Sequence, residues 1–190
     1  MYKAVIFDFF DVIHGDPLSI MLESKGLKRE GPFAEICKRL DLGGIDYQGY
    51  MGSLAEAFGL TKEQFDKEFE NSASLDVEVI EIIQKLRHQR YQTILLSNTH
   101  RDEIQPLLDR HSLHRLFDDV IISAEVGMSK PDPQIFRFTT KRIRLHPKQT
   151  VFTDDNPKNV TAANSVGIHG LHFTSASKLR NDLSTLGLTI

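Results

Sequence analysis

Ala4-Val5-Ile6-Phe7 begins an apolar run that continues through Asp8-Phe9-Phe10-Asp11-Val12-Ile13 and gives way to the turn residues His14-Gly15-Asp16-Pro17. A run this short and this apolar predicts a strand buried on both faces, as in parallel sheets. From residue 16 to residue 74 the pattern is helical only. Tyr47, Tyr50, Met51, Leu54 and Phe58 recur at helical spacing, and Gly59 supplies the left-handed residue that ends such a helix. Thr61 and Gln64 have the spacing of a capping box, and Leu60 and Phe65 that of a hydrophobic staple. Phe65 and Phe69 continue the apolar face of the helix that starts there. This aromatic stripe predicts the core of a small helical insert rather than a cofactor pocket.

From Leu75 onward helices and strands alternate. Asp76 predicts the cap of a helix whose inner face is Ile80, Ile83 and Leu86, with Leu75 stapled to Ile80. Thr93-Ile94-Leu95-Leu96-Ser97 predicts a second strand, followed by a helix near Arg101 to Arg110 and a third strand at Val120-Ile121-Ile122-Ser123. Asp132 and Pro133 read as an N-cap and first helical residue. Thr150-Val151-Phe152-Thr153 predicts a fourth strand, after which Asn156 and Pro157 repeat the cap signal and Gly167 closes the helix. Gly170-Leu171-His172-Phe173 predicts a fifth strand, and a last helix turns Leu179, Leu183 and Leu186 inward before Gly187. Strands alternating with helices of this length imply βαβ crossovers, a parallel sheet and an α/β fold. The expected organisation is a core formed by residues 1–15 and 75–190, interrupted by a helical insert over residues 16–74.

Composition narrows the classes of function. The chain of 190 residues is 40% hydrophobic and 26% charged, enough apolar material to bury a core and too much for disorder. A formal net charge of −3 leaves no basic footprint, so nucleic acid is not an expected partner. No run approaches the roughly 20 apolar residues that span a bilayer, and the N-terminus lacks the pattern of a secretory signal, so no membrane role is expected. Cys37 is the only cysteine, which rules out an intrachain disulfide and fits a reducing, cytoplasmic setting. Its apolar helical surroundings predict a small core residue.

Candidate chemistry sits at the strand ends. Asp8 ends the first strand, Ser97-Asn98 the second and Asp154-Asp155 the fourth, and Lys130 lies in the loop after the third. Parallel strands present their carboxyl ends on one edge, so these groups should converge at a crevice. Carboxylates from two strands can hold a hard cation such as Mg2+, which commonly shares itself between carboxylates and a phosphate. Lys130, a serine hydroxyl and turn N–H groups can then neutralise the remaining phosphate oxygens. Asp8 can serve as a covalent nucleophile, because the lysine and metal offset repulsion from an anionic ester.

Taken in order, four segments resemble the four motifs of the haloacid-dehalogenase superfamily of hydrolases. They are Ile6-Phe7-Asp8-Phe9-Phe10-Asp11-Val12-Ile13, Leu96-Ser97-Asn98-Thr99, Ser129-Lys130-Pro131-Asp132-Pro133, and Phe152-Thr153-Asp154-Asp155-Asn156 with Asn159, Ala162, Ala163 and Gly167. The resemblance points to the subclass with a helical cap inserted after the first motif, near sugar-phosphate phosphatases and epoxide-hydrolase N-terminal-like members. It implies a Rossmann-like parallel sheet of about five strands in the order 3-2-1-4-5, with the cap closing over strand 1. It also implies a Mg2+-dependent phosphatase acting on a small phosphorylated metabolite such as a sugar phosphate. Asp8 would attack phosphorus to form an aspartyl-phosphate, which water hydrolyses. Ser97 and the Asn98 N–H would bind phosphoryl oxygens, and Lys130 would balance charge. Asp8, the Phe10 carbonyl and Asp154 would hold Mg2+, with Asp155 orienting a metal-bound water.

One position departs from the family pattern. Most family phosphatases carry a second Asp two residues after the nucleophile, as the acid that protonates the leaving group and the base that later activates water; here the residue is Phe10. Such assistance typically contributes ~10²–10⁴-fold, so its loss implies a slow enzyme in need of a good leaving group. Asp11 is expected to stabilise the turn, since the next strand position points elsewhere. Two alternatives remain open. A metal-independent haloacid-dehalogenase-like hydrolase also lacks the second Asp, but Asp154-Asp155 would then serve only helix capping. A catalytically weak phosphate-binding regulatory module is the other alternative, motivated by Phe10. His111 and His114 are expected to be exposed helix-end residues rather than a metal pair, because no third ligand lies near. His14 reaches substrate or packs in a loop, and His100 lines the pocket or caps the next helix.

Overall fold

Five strands carry the apolar runs: β1 (Ala4–Phe7), β2 (Gln92–Ser97), β3 (Asp119–Ile122), β4 (Thr150–Asp154) and β5 (His169–His172). They form one parallel sheet in the order β3-β2-β1-β4-β5. The computed structural model describes residues 1–190. Helices α5 (Val77–His88), α6 (Arg101–Arg110), α7 (Ser123–Val126), α8 (Pro133–Arg142), α9 (Pro157–Ser165) and α10 (Ala176–Thr185) complete the core. Successive side chains of β1 feed opposite layers. Val5 and Phe7 pack with Ile82, Ile83 and Leu86 of α5 and with Leu179 and Leu183 of α10. Ile6 packs on the other side with Ile94, Phe152, Phe136 of α8 and Ala163 of α9. A strand buried on both faces has no polar position to spare, which explains its unbroken apolar sequence.

Several strand ends shift by one residue, and one helix face differs from expectation. β3 starts at Asp119 and stops at Ile122, because Ser123 already opens α7. β5 begins one residue early, at His169. The buried face of α5 is Val79, Ile82, Ile83 and Leu86, the i, i+3, i+4, i+7 stripe, and Ile80 is only half-buried at its flank.

Residues between β1 and α5 form four helices: α1 (Pro17–Ser24), α2 (Pro32–Asp41), α3 (Tyr47–Phe58) and α4 (Lys62–Asn71). Their apolar faces meet in a separate cluster that includes Leu18, Leu40, Leu54, Phe65 and Phe69. The Thr61–Gln64 capping box forms, and Gly59 ends α3 at φ 68°. The chain leaves and re-enters the core side by side, with Gly15 N donating to Ser74 O (3.1 Å) and Asp76 N to Ile13 O (2.9 Å). This ribbon hangs the insert over the carboxyl end of β1. Its far side rests on the core at Gly43 (φ 70°), where an added Cβ would lie 3.2 Å from the Ala124 carbonyl oxygen. No helix is long and apolar enough to cross a membrane.

Candidate active site

The strand register sets the depth of each group. Phe7 pairs with Leu95 and with Thr153, so Asp8 and Asp154 lie at one level of the sheet edge and Ser97 one step beyond. Lys130 joins them. Its Nζ lies 2.7 Å from Asp8 Oδ1 and 2.7 Å from Asp154 Oδ2, and 5.6 Å from the centre of the Phe152 ring. The lysine loop is fixed from β2: Asn98 Nδ2 donates to Lys130 O (2.8 Å) and Asn98 Oδ1 accepts from Lys130 N (2.8 Å). Both ends of the Asn98 side chain are therefore taken, and only its backbone N–H faces other duties. Phe9 N donates to Asp8 Oδ1 (2.7 Å). Asp154 accepts from Asn156 N (2.8 Å) and from Asn159 Nδ2 (2.9 and 3.0 Å).

Burial pushes the Asp8 carboxyl well above the usual carboxylate range, against the pull of Lys130 and with the push of Asp154. Burial works against the Lys130 ammonium as well, but Asp8 and Asp154 outweigh it and hold its pKa above the ordinary lysine value. Burial, and then the charge of Asp154, raises Asp155 to about 6. Asp8, Asp154 and Asp155 each bring one oxygen within 4.8 Å of the other two. An all-oxygen set of this charge fits a hard divalent cation. The Phe10 carbonyl accepts no hydrogen bond and is free to ligate too. The Ser97 hydroxyl, 1% exposed, has no partner at all, an orphan that a ligand oxygen would satisfy.

Asp8, Phe10, Ser97, Asn98, Lys130 and Asp155 line the floor of a cleft of about 430 Å³ between core and insert, with Asp154 buried behind them. Asp11 stabilises the turn as expected, but it does not point away from the cleft as strand alternation implied. β1 ends at Phe7, and Asp11 adopts φ 57°, so it lines the cleft while its Oδ1 accepts from Asp16 N (3.0 Å). His14 is buried, stacked on Phe9 with centroids 5.7 Å apart, its Nδ1 donating to Gly15 O, and it is not a cleft residue. His100 caps α6. His111 and His114 are exposed near the end of α6, as expected, and His114 Nε2 is bonded to Asp109 Oδ1 (2.6 Å). Cys37 is half-buried, packed against the insert's apolar cluster as expected and also lining the cleft, and burial pushes its thiol up to about 11. Arg29, Asp41 and Glu103 line the cleft as well, none of them singled out by the sequence, and so does Tyr50, which joins the insert's core as expected but also reaches the cleft. Each sits in an ordinary helical or loop pattern, and only the docking of insert on core turns them to one space.

A family model of haloacid dehalogenase-like hydrolases matches residues 2–167. A sesquiterpene phosphatase of Aspergillus oryzae is 28% identical over 181 residues, 92% of this chain and 91% of that protein. A phosphorylated carbohydrates phosphatase of Thermotoga maritima is 26% identical over 182 residues, 90% of this chain and 84% of that one. A solved structure of a family enzyme from Bacteroides thetaiotaomicron, in complex with magnesium and inorganic phosphate, shares the fold at a TM-score of 0.73 and 21% identity, covering 92% of this chain and 95% of that chain. The match runs through β1 to β4 and every strand-end group described above, and the chain belongs to the haloacid dehalogenase-like hydrolases.

Proposed function

We propose that the protein is a Mg2+-dependent phosphatase that hydrolyses a small phosphorylated metabolite, such as a sugar phosphate, through an aspartyl-phosphate on Asp8. The observation that carries this is the three-carboxylate cluster beside the Lys130 ammonium. A metal-independent dehalogenase needs a nucleophile and a lysine, but gains nothing from two further acids at the end of β4. Relatives named as phosphatases support the same reading, one of them for phosphorylated carbohydrates.

Asp8, Asp154 and the Phe10 carbonyl would hold the cation, with Asp155 close enough to join them or to orient a bound water. Bound there, Mg2+ supplies positive charge to the phosphoryl oxygens. Lys130 adds a second charge beside Asp8, and the Ser97 hydroxyl and Asn98 N–H donate to the phosphoryl group. Phe9 N–H and Lys130 hold Asp8 Oδ1, which leaves Oδ2 as the attacking atom. Oδ2 bonds to phosphorus as the ester P–O bond breaks, and the leaving oxygen takes its proton from solvent. Water then attacks the same phosphorus, releasing inorganic phosphate and restoring the carboxylate. The insert, residues 16–74, serves as the cap that faces the leaving group.

Phe10 favours a second reading, a phosphate-binding module with little turnover. Assay of p-nitrophenyl phosphate separates the readings. Hydrolysis is expected to stop with a chelator, return with Mg2+ and vanish in Asp8→Asn, with the circular dichroism of that variant unchanged. Undiminished hydrolysis in excess chelator would point to a dehalogenase-like site, and phosphate binding without turnover to the module.

A further inference from the structure

Above the catalytic floor the cleft has a second, polar wall that the chemistry at Asp8 does not use. Tyr50 of α3 is 4% exposed and lines the cleft, yet its hydroxyl has no hydrogen-bond partner in the protein. The ring is packed away while the hydroxyl oxygen opens into the cleft, where a ligand can meet it. Asp41, the last residue of α2, also lines the cleft, and its carboxyl takes part in no hydrogen bond or ion pair. Across from them Glu103, in the first turn of α6, accepts from Thr99 Oγ1 and leaves its other carboxyl oxygen free. Arg29 is the only guanidinium here, and it is already engaged by Asp16 and by Ser19 Oγ. Lys38 stands at the mouth, exposed to water, where a charge contributes little.

We propose that Asp41, Tyr50 and Glu103 form a leaving-group subsite for an uncharged, hydroxyl-rich moiety, one that rejects both a second anionic group and a hydrocarbon chain. The proposal rests on the phosphatase reading and adds to it the groups that select among phosphate esters. Hydroxyls of a polyol both donate and accept, so they match a phenol and two carboxyls in either protonation state. Burial pushes Asp41 to about 6 and Glu103 to about 8, so both give up charge readily and a neutral ligand suits them. A second phosphate would meet these acids with no unpaired cation deep in the cleft. A prenyl chain would strip water from three polar groups and return no hydrogen bond, the kind of mismatch that polar sites discriminate against strongly.

The test uses the full chain with Mg2+ and four kinds of ester: hexose and pentose monophosphates, a hexose bisphosphate, farnesyl monophosphate and p-nitrophenyl phosphate. Hexose 6-phosphates and farnesyl monophosphate are both esters of primary alcohols of similar acidity, so for cleavage at the P–O bond their comparison isolates recognition from leaving-group quality. The best sugar monophosphate is expected to exceed the bisphosphate and the farnesyl ester at least tenfold in kcat/KM. Tyr50→Phe, Asp41→Asn and Glu103→Gln, each nearly isosteric, are expected to lower the ratio of sugar to aryl kcat/KM about five- to tenfold, the scale of one lost hydrogen bond. Unchanged ratios in all three variants, or a farnesyl or bisphosphate preference, would overturn the subsite while aryl phosphate turnover still upholds the phosphatase. Failure to turn over any of the esters would remove the phosphatase reading and the subsite with it.

Discussion

Phe10 shows how one residue can leave a fold intact and change its chemistry. Its ring is half-buried, edge-on to Phe9 at 5.1 Å and to His14 at 6.4 Å, so it is held by aromatic packing rather than by any polar partner. The backbone at this position keeps its free carbonyl, and with it the capacity to ligate; the side chain has no proton to give. The rate of aspartyl-phosphate formation should therefore fall steeply as the leaving-group pKa rises across a series of aryl phosphates. Single-turnover measurement is required, because dephosphorylation also lacks a base and becomes limiting for the best leaving groups. A shallow dependence would mean that another acid is present. Asp11 is then the first suspect, since it lines the cleft, and Asp11→Asn over the same series would expose it. Phe10→Asp is a weaker probe: it removes the packing on Phe9 and His14 along with the aromatic ring.

At the scale of elements, the first turn of α9 aims the Asp154 carboxylate. Asn159 is 6% exposed and bonds both Asp154 oxygens, while Asn156 caps the helix and gives its own N–H to Oδ1. Asn159→Ala leaves the carboxylate to Lys130 and one backbone N–H. Removing such a support typically weakens metal binding 10–100-fold, so the Mg2+ concentration for half-maximal activity should rise by about that factor while far-ultraviolet circular dichroism stays as in the native chain. An unchanged Mg2+ dependence would show that the helix start alone orients Asp154. Helix starts were the most legible feature of the sequence, because a cap spans only three or four residues: Asp76 accepts from Glu78 N and Val79 N, and Thr61 and Gln64 bond reciprocally. Strand existence was equally plain from the apolar runs, and the strand-end groups follow from parallel strands sharing an edge. What stayed hidden needs a partner from elsewhere in the chain. Ile80 fits the helical period of α5 yet sits at the flank, because the sheet decides which side of a wide apolar face is innermost. Glu103 lies next to Asp102 in an ordinary first turn, and nothing local distinguishes the acid that meets the insert from the one that meets water.

The molecule as a whole joins two apolar assemblies across a polar cleft. The insert has its own cluster of 11 buried residues, while the two faces of the sheet carry clusters of 23 and 9. Between insert and core lie carboxyls, hydroxyls and an ammonium, together with the ribbon at Gly15–Ser74 and Ile13–Asp76 and the close approach at Gly43. Unfolding the insert alone would expose its small cluster and leave the sheet paired, so it should cost less than unfolding the chain. Native-state hydrogen exchange checks this residue by residue. Amides of Leu54 and Ala55 in α3 are expected to open at a lower free energy, and with a smaller denaturant dependence, than those of Ile6 in β1 and Phe152 in β4. Equal opening energies and equal denaturant slopes for both sets would mean one cooperative unit, and the polar cleft would then have to be counted as a welded interface. A two-level result has a functional corollary. The wall that carries Asp41 and Tyr50 would belong to the less stable unit, and the floor that carries Asp8, Lys130 and Asp154 to the more stable one. Substitutions in the insert could then alter which leaving group is accepted without disturbing the geometry at phosphorus.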